Sequence, residues 1–193
     1  MADPALPYSK QKSERGRCGW RSCNLQRYLL GGEMMASQVE IREASNGEDY
    51  GAGKTLIEEY AAALGVDLCF QNFSEEIANL SKIYGPPHGC LLLARMNEEL
   101  LGCVAIRNQH AAVCEMKRLY VRPQGRKTGL GRRLAESAIE HAQRLGYSRM
   151  VLDTLPNMIK AQSLYQSLGF REIEAYYQNP LNGVRYLALE LTT

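Results

Sequence analysis

The chain has 193 residues and a formal net charge of +2, with 23 Lys and Arg against 21 Asp and Glu. This length suits one hydrophobic core, no apolar run approaches the roughly 20 residues of a membrane helix, and so small a charge argues against general nucleic-acid binding. Six cysteines lack a Cys-x-x-Cys pair or a nearby histidine array, so no metal is expected and we predict reduced, mostly buried thiols. A cytoplasmic protein with a small-molecule partner fits these features.

Residues 1–34 differ from the rest of the chain. Six basic residues outnumber three acidic ones there, and no apolar periodicity precedes Leu25. No apolar segment of a secretory signal follows the basic residues, and the acidic residues weaken a transit-peptide interpretation. Translation starting at Met34 or Met35 explains the extension better than organelle targeting, because the regular pattern begins at Val39. We predict one folded domain over residues 35–193 and an extension that does not fold with it.

From Val39 onward, segments with strand and helix periodicity alternate. Ser45 or Asn46 is a candidate N-cap for the first helix, and Gly65 is its candidate stop. The predicted elements of the first half are a strand over residues 39–42, a helix that ends at Gly65, a short helix over residues 74–80, and a hairpin of strands 90–94 and 100–106.

Residues 51–55 end in the Gly-Lys-Thr of a nucleotide-triphosphate loop. The spacing is wrong for that loop, because position 48 holds Glu where a glycine is required and residues 45–50 are polar rather than a buried strand. A carboxylate at this place would repel phosphate. We therefore predict that these residues form the first turns of a helix.

The second half continues the alternation with a strand over about residues 113–121 and an amphipathic helix that begins at Arg132 and ends before Gly146. The side chains that this helix is predicted to bury are Leu130, Leu134, Ala138, Ala142 and Leu145. The remaining predicted elements are a strand over residues 150–155, a helix over 157–168, a strand near 170–174 and a strand near 184–191.

The loop over residues 121–131, between that strand and that helix, has the features of a pyrophosphate cradle. Unpaired N–H groups at a helix N-terminus bind phosphate together with the positive end of the helix dipole. Gly129 and Gly131 let the backbone approach a ligand, and Arg126 and Lys127 add positive charge at the rim. The pattern predicts a nucleotide-like ligand.

The spacing of Arg126, Gly129 and Gly131 resembles the coenzyme A signature of the GNAT acetyltransferase superfamily. A strand over residues 114–121 precedes it, as in that family. A second family-like element follows it, carried by Asn157, Ala161, Tyr165, Gly169 and Phe170. The resemblance extends from roughly Val39 to Leu191 and is closest to small acetyltransferases of bacterial and fungal type.

The resemblance implies an α/β (α+β) fold with a mixed, mostly antiparallel central sheet of about six to seven strands. Its central strands would be splayed, and helices would cover both faces. Acetyl-CoA is the implied co-substrate, with the pantetheine arm held by backbone groups of residues 119–121, often beside a β-bulge. The implied cofactor-binding residues are Leu119, Val121, Arg126, Lys127, Thr128, Gly129, Leu130, Gly131 and Asn157.

The implied reaction is direct attack of a neutral amine on the thioester. An alkylammonium group, with a pKa of about 10.4, is almost fully protonated at pH 7, so a base is useful. Glu115 is the candidate base, because it lies fourteen residues before Gly129, the offset of the base in those family members that have one. The alternative for Glu115 is a solvated or salt-bridged strand residue beside Lys117 and Arg118. In that case water relays or another residue would serve as the base.

Tyr165 lies where the resemblance places the tyrosine that hydrogen-bonds the sulfur of CoA and can protonate the departing thiolate. An ordinary core aromatic residue is the alternative. Asn157 begins the same predicted helix, where it either caps the helix or contacts the cofactor arm.

The acceptor amine, on a small molecule or a peptide, is not identified by the sequence. In the family, the acceptor pocket is shaped by segments that correspond here to residues 68–73, 84–88 and 176–182. Tyr176, Tyr177 and Asn179 are either hydrogen-bonding partners of a polar amine or turn and packing residues. His88 is the histidine whose loop borders this region.

Two other classes of function stay open. A non-catalytic acyl-CoA sensor would bind its ligand in the cradle, but Glu115 and Tyr165 would not act as base and acid. A nucleic-acid-binding protein that uses the basic extension would show salt-sensitive binding that is lost on deleting residues 1–33. The weakly basic whole chain makes this class the weakest. A homodimer is compatible with the sequence.

Overall fold

Helices separate some, but not all, of the successive strands in the described part of the chain. The structure, a computed structural model, describes residues 38–65 and 72–191. The extension over residues 1–34 and part of the predicted acceptor loop, residues 68–71, lie outside the described residues. In chain order the elements are β1 (Glu40–Glu43), α1 (Gly47–Leu64), α2 (Phe73–Ala78), α3 (Leu80–Ile83), β2 (Cys90–Met96), β3 (Glu99–His110), β4 (Val113–Val121), a 3-10 turn (Pro123–Gly125), α4 (Leu130–Arg144), β5 (Arg149–Thr154), α5 (Ile159–Ser167), β6 (Arg171–Ile173) and β7 (Arg185–Glu190).

The seven strands form one sheet in the order β1-β2-β3-β4-β5-β7-β6. Neighbouring strands are antiparallel except β4 and β5, which are parallel. Parallel neighbours need a long crossover connection, and α4 lies within it. The mixed, mostly antiparallel sheet that the family resemblance implies is confirmed.

Helices cover both faces of the sheet. Because successive side chains of a strand point to opposite faces, β2 sends Leu91 and Leu93 to one face and Leu92 to the other. The first face packs against Leu56 and Ile57 of α1. The second face packs against the apolar side of α4, formed by Leu130, Leu134, Ala135, Ala138 and Ala142.

The predicted N-cap and stop of α1 are confirmed. The side chain of Asn46 accepts a hydrogen bond of 3.0 Å from a first-turn N–H group, and Gly65 ends the helix with φ +65°. Residues 51–55 lie inside α1, as predicted. Gly53 is required by packing rather than by phosphate, because a Cβ atom there would lie 2.4 Å from Leu91 Cδ2.

Three details of the predicted helices are wrong. The short helix predicted over residues 74–80 is two helices, α2 and α3, because the backbone of Asn79 (φ −129°, ψ 31°) leaves the helical region. The helix after the cradle begins at Leu130 rather than at Arg132. Leu145 lies beyond the last residue of α4 and is 38% exposed, although the periodicity predicts that it is buried.

Buried thiols are present in the sheet, as predicted. Cys90, Cys103 and Cys114 are free and buried, and burial raises the pKa of each to about 12. Thiols that stay protonated at neutral pH are poor nucleophiles, so we assign them to packing. The other three cysteines lie outside the described residues. Within the described part of the chain, no helix is long and apolar enough to cross a membrane.

Candidate active site

A cleft opens where β4 and β5 separate. The two strands pair only over residues 113–115 and 149–151, and beyond these residues they diverge. The cavity between them has a volume of about 40 Å³ and is partly open to solvent. The residues that line this cleft are Tyr60, Leu64, Met116, Lys117, Arg118, Leu119, Asp153, Thr154, Leu155, Met158, Tyr165 and Leu181.

A β-bulge shapes the wall of the cleft on β4. The register between β3 and β4 shifts between Cys103 and Ala105, so that Arg118 and Leu119 together oppose one residue of β3. Arg118 adopts φ +58°, a left-handed conformation. A bulge interrupts the ladder of main-chain hydrogen bonds and bends the strand. It lies where the family resemblance implies backbone contacts with the pantetheine arm.

A buried ion pair holds this bulge in place. Arg118 makes two hydrogen bonds to the carboxylate of Glu76 on α2, with Nε 2.7 Å from Oε1, and both side chains are 3% exposed. Tyr84 donates its hydroxyl to the same oxygen at 2.6 Å, and the guanidinium lies 5.4 Å from the ring centre of Phe73. Burial disfavours ionised Glu76, but the hydrogen bonds from Arg118 and Tyr84 outweigh burial and lower its pKa. The pair ties α2 to the cleft.

The loop before α4 has the geometry of the predicted cradle. Gly129 adopts φ +83° and has no side chain to cap α4, so the first-turn N–H groups lack a side-chain partner. The hydroxyl of Thr128 donates to the carbonyl oxygen of Gly125 at 2.8 Å and fixes the turn. A Cβ atom at Gly129 would meet no atom within 4 Å, and one at Gly131 would meet only Val121, at 3.8 Å. Uncapped donors beside open space fit a pyrophosphate group.

Positive charge surrounds the cradle. Arg126 and Lys127 are exposed at its rim, and neither makes a salt bridge to a carboxylate among the described residues. Arg126 Nε donates to the carbonyl oxygen of Val121 at 3.0 Å, which directs its side chain along the loop. Arg122, by contrast, is held by Glu59 through hydrogen bonds of 2.9 and 2.6 Å. The rim charge that faces a ligand therefore comes from residues 126 and 127.

Glu115 lies behind the wall of the cleft rather than in it. Its side chain is 1% exposed, and Arg107 donates to Oε2 at 2.7 Å. Tyr176 donates its hydroxyl to Oε1 at 2.8 Å, and Lys117 Nζ lies 3.6 Å from the same oxygen. The salt-bridged environment named as the alternative for this residue is present.

Asp153 is a carboxylate that does line the cleft. Lys117 Nζ lies 3.2 Å from Oδ1 of Asp153, and the hydroxyl of Tyr177 is hydrogen-bonded to the same carboxylate. Asp153 is not among the residues predicted from the sequence. Strand alternation is a signal that could have indicated Asp153. Val151 pairs with Glu115, and Asp153 lies two residues after Val151, so its side chain is on the same face of the sheet as Glu115.

Tyr165 lines the cleft, the position that a hydrogen-bond donor to sulfur requires. Its ring packs on Phe170 at a centroid distance of 5.7 Å, and its hydroxyl has no hydrogen-bond partner among the described residues. Burial raises the pKa of Tyr165, so the hydroxyl stays protonated at neutral pH. Asn157 does not cap α5, because the N-cap is Met158. Asn157 is exposed, and its contact with the cofactor arm stays a prediction.

Residues 176–182 border the cleft through Leu181. Asn179 Nδ2 donates to the hydroxyl of Tyr177 at 2.9 Å. Neither Tyr84 nor His88 lines the cleft, since Tyr84 is buried against α2 and His88 is exposed elsewhere. Three tyrosine rings pack on one another beside the cleft, with centroids 5.2 to 5.5 Å apart: Tyr176, Tyr177 and Tyr186.

The chain and its fold have counterparts among known proteins. A family model described as acetyltransferase (GNAT) family matches residues 54–170. The chain is 44% identical to an uncharacterized N-acetyltransferase of Schizosaccharomyces pombe, over 82% of this chain and 99% of that protein. A GNAT-family acetyltransferase of Staphylococcus aureus superposes with a TM-score of 0.67 and 20% identity, over 80% of this chain and 100% of that one. For a Bacillus subtilis acetyltransferase solved in complex with CoA, the TM-score is 0.57 and the identity 24%, over the same shares of the two chains.

Proposed function

Because the chain belongs to the GNAT acetyltransferase family, we propose that it transfers the acetyl group of acetyl-CoA to a primary amine of a small molecule or peptide. The observation that carries this proposal is the cleft between β4 and β5. β4 lines this cleft, and the loop after β4 leads to the uncapped N-terminus of α4. We assign the catalytic domain to residues 35–193. A cytoplasmic location and a homodimer stay predictions from the sequence.

We assign the pyrophosphate of CoA to the cradle. The N–H groups of residues 128–131 would bind it, because Gly129 leaves the start of α4 uncapped. Arg126 and Lys127 would neutralise its charge, and the backbone of residues 119–121 at the bulge would hold the pantetheine arm. The bound co-substrate supplies an acetyl thioester in the cleft.

The proposed reaction forms one C–N bond and breaks one C–S bond. The neutral amine attacks the thioester carbonyl carbon, sulfur leaves with the bonding electron pair, and the amine gives up one proton. Tyr165 donates a hydrogen bond to the departing sulfur. Full proton transfer from a phenol to a thiolate, whose pKa is about 8.5, is uphill, so the hydrogen bond contributes more than the transfer.

Calorimetric titration of acetyl-CoA and of CoA into the full chain is the direct test of this proposal. Saturable binding of one molecule per chain supports it and justifies a screen of primary amines for release of the CoA thiol. A folded protein that binds neither compound would contradict the proposed function and leave only the shared fold.

Replacing Tyr165 with phenylalanine is expected to lower turnover by about 10- to 100-fold, because a hydrogen bond to a charged group contributes about 1.5–3 kcal/mol. The affinity for CoA should change little, since the ring is retained. Tyr147→Phe is the matched control, because that buried hydroxyl donates to the carbonyl oxygen of His88 instead of facing the cleft. Unchanged turnover in Tyr165→Phe would favour a non-catalytic acyl-CoA sensor.

Glu115 stays the proposed base, and its burial requires that it act through a relay. Glu115→Gln is expected to lower the rate of acetyl transfer by about 10²–10⁴-fold. Asp153→Asn is the companion variant, because this carboxylate lines the cleft directly. If only Asp153→Asn lowers the rate by this factor, Asp153 is the base and Glu115 only positions Lys117.

A further inference from the structure

A buried hydroxyl of a cleft-lining residue has no hydrogen-bond partner in the part of the chain that the structure describes. Thr154 is the last residue of β5 and lines the cleft, and its side chain is 3% exposed. Its Oγ1 atom is buried and has no hydrogen-bond partner among the described residues. A buried hydroxyl that gives up water without gaining a partner carries its full desolvation cost, so such groups are few in native structures and each calls for an explanation.

Nearby polar groups do not supply that partner, because they are bonded to one another. Gln162 on α5 donates from Nε2 to the carbonyl oxygens of Leu155 and Pro156, at 2.8 and 3.2 Å. Its Oε1 accepts a hydrogen bond of 2.9 Å from Arg185. The amide of Gln162 is therefore fully engaged with these partners, while Thr154, whose hydroxyl has no partner among the described residues, lines the cleft.

The position of Thr154 in the sheet indicates which ligand it meets. Side chains alternate along β5, so Thr154 shares a face with Leu152, which packs in the same core cluster as Tyr165. Asp153 points to the other face, where it meets Lys117. One wall of the cleft thus holds the ion pairs. The other holds two hydroxyls, those of Thr154 and Tyr165, that have no hydrogen-bond partner in the described ranges 38–65 and 72–191.

We propose that Thr154 is a further acyl-CoA-binding residue, whose Oγ1–H group donates to a carbonyl oxygen of the bound molecule. That oxygen belongs either to the thioester or to the nearest amide of the pantetheine arm. The inference rests on the proposed function, since it requires acyl-CoA in the cleft. It explains why a hydroxyl occupies a buried position that valine would fill equally well in the free protein.

Two variants test this contact. Thr154→Val keeps the shape of the side chain and removes the hydroxyl, whereas Thr154→Ser keeps the hydroxyl and removes the methyl group. We expect Thr154→Val to bind acetyl-CoA about 5- to 10-fold more weakly by calorimetry, the range of one hydrogen bond, and Thr154→Ser to stay within about twofold of the wild type. Without ligand, Thr154→Val should unfold at the same temperature as the wild type or higher, because no protein hydrogen bond is lost.

Titration with both acetyl-CoA and CoA identifies the oxygen. An equal loss of affinity for the two compounds in Thr154→Val assigns the contact to the amide, and a loss confined to acetyl-CoA assigns it to the thioester. Wild-type affinity for both compounds in Thr154→Val would overturn the inference, as would an equal loss in Thr154→Ser. A wild-type protein that binds neither compound would overturn the proposed function itself, which is a distinguishable result.

Discussion

Replacing Glu76 with alanine is expected to lower the free energy of unfolding by about 3–5 kcal/mol, because it leaves the guanidinium of Arg118 buried without its counter-ion. Both side chains are 3% exposed, so water cannot replace the lost carboxylate. Tyr84 also loses the acceptor for its hydroxyl. Urea unfolding followed by circular dichroism measures the change.

The matched control is Glu59→Ala, which breaks another two-bonded Arg–Glu pair, that with Arg122. That pair is 22% and 36% exposed, so solvent takes over the lost interactions and the expected cost is below about 1 kcal/mol. Equal losses in the two variants would show that burial does not govern the strength of the Glu76 pair.

The effect of Glu76 should also depend on pH. Its folded-state pKa lies below the ordinary glutamate value of about 4.3, because the hydrogen bonds from Arg118 and Tyr84 outweigh burial. A lowered folded-state pKa contributes stability that is present in full above the unfolded-state value and is lost as the pH falls through the folded-state value. The stability difference between wild type and Glu76→Ala should therefore shrink below about pH 4, and a constant difference would contradict the assigned charge.

Replacing Gly131 with glutamate is expected to weaken acetyl-CoA binding by at least about 100-fold, or about 2.7 kcal/mol. A Cβ atom at this position would lie 3.8 Å from Val121, so the substitution fits the free protein. An acidic residue in the first turn also suits the dipole of α4. The carboxylate would face the proposed pyrophosphate, and like charges in contact cost several kcal/mol. Gly129 is less suitable for this test, because its φ of +83° would strain any other residue.

Gly47→Glu provides the control for that measurement. Gly47 lies in the first turn of α1, and a Cβ atom there would meet nothing within 4 Å, so the same charge enters the same kind of helix position away from the cradle. This variant should bind acetyl-CoA as the wild type does in a calorimetric titration. Wild-type affinity in Gly131→Glu would remove the cradle from the proposed site.

Local features of the fold were predictable because they depend on residues that are close in the chain. The cap at Asn46 and the stop at Gly65 each follow from one residue type at one helix end. The split at Asn79 was not predictable in this way, because residues 74–80 keep a helical pattern across it. Leu145 fits the apolar spacing of α4 and is nevertheless exposed, since the helix ends one residue before it.

The sequence by itself determined the family and the uncapped start of α4. Gly129 is the N-cap of α4 and Gly131 lies in its first turn, so residues that are neighbours in the chain are sufficient to form an uncapped helix start. The family-like element containing Tyr165 is likewise a continuous segment, and Tyr165 does line the cleft.

Only the tertiary structure decided which polar groups meet inside the cleft. Arg118 and Glu76 are 42 residues apart in sequence, and their contact exists because the bulge of β4 packs against α2. Glu115 was a plausible base in the sequence, yet the fold buries it behind Lys117 and leaves Asp153 in the wall. Burial and ionic pairing depend on distances between segments, and chain folding alone sets those distances.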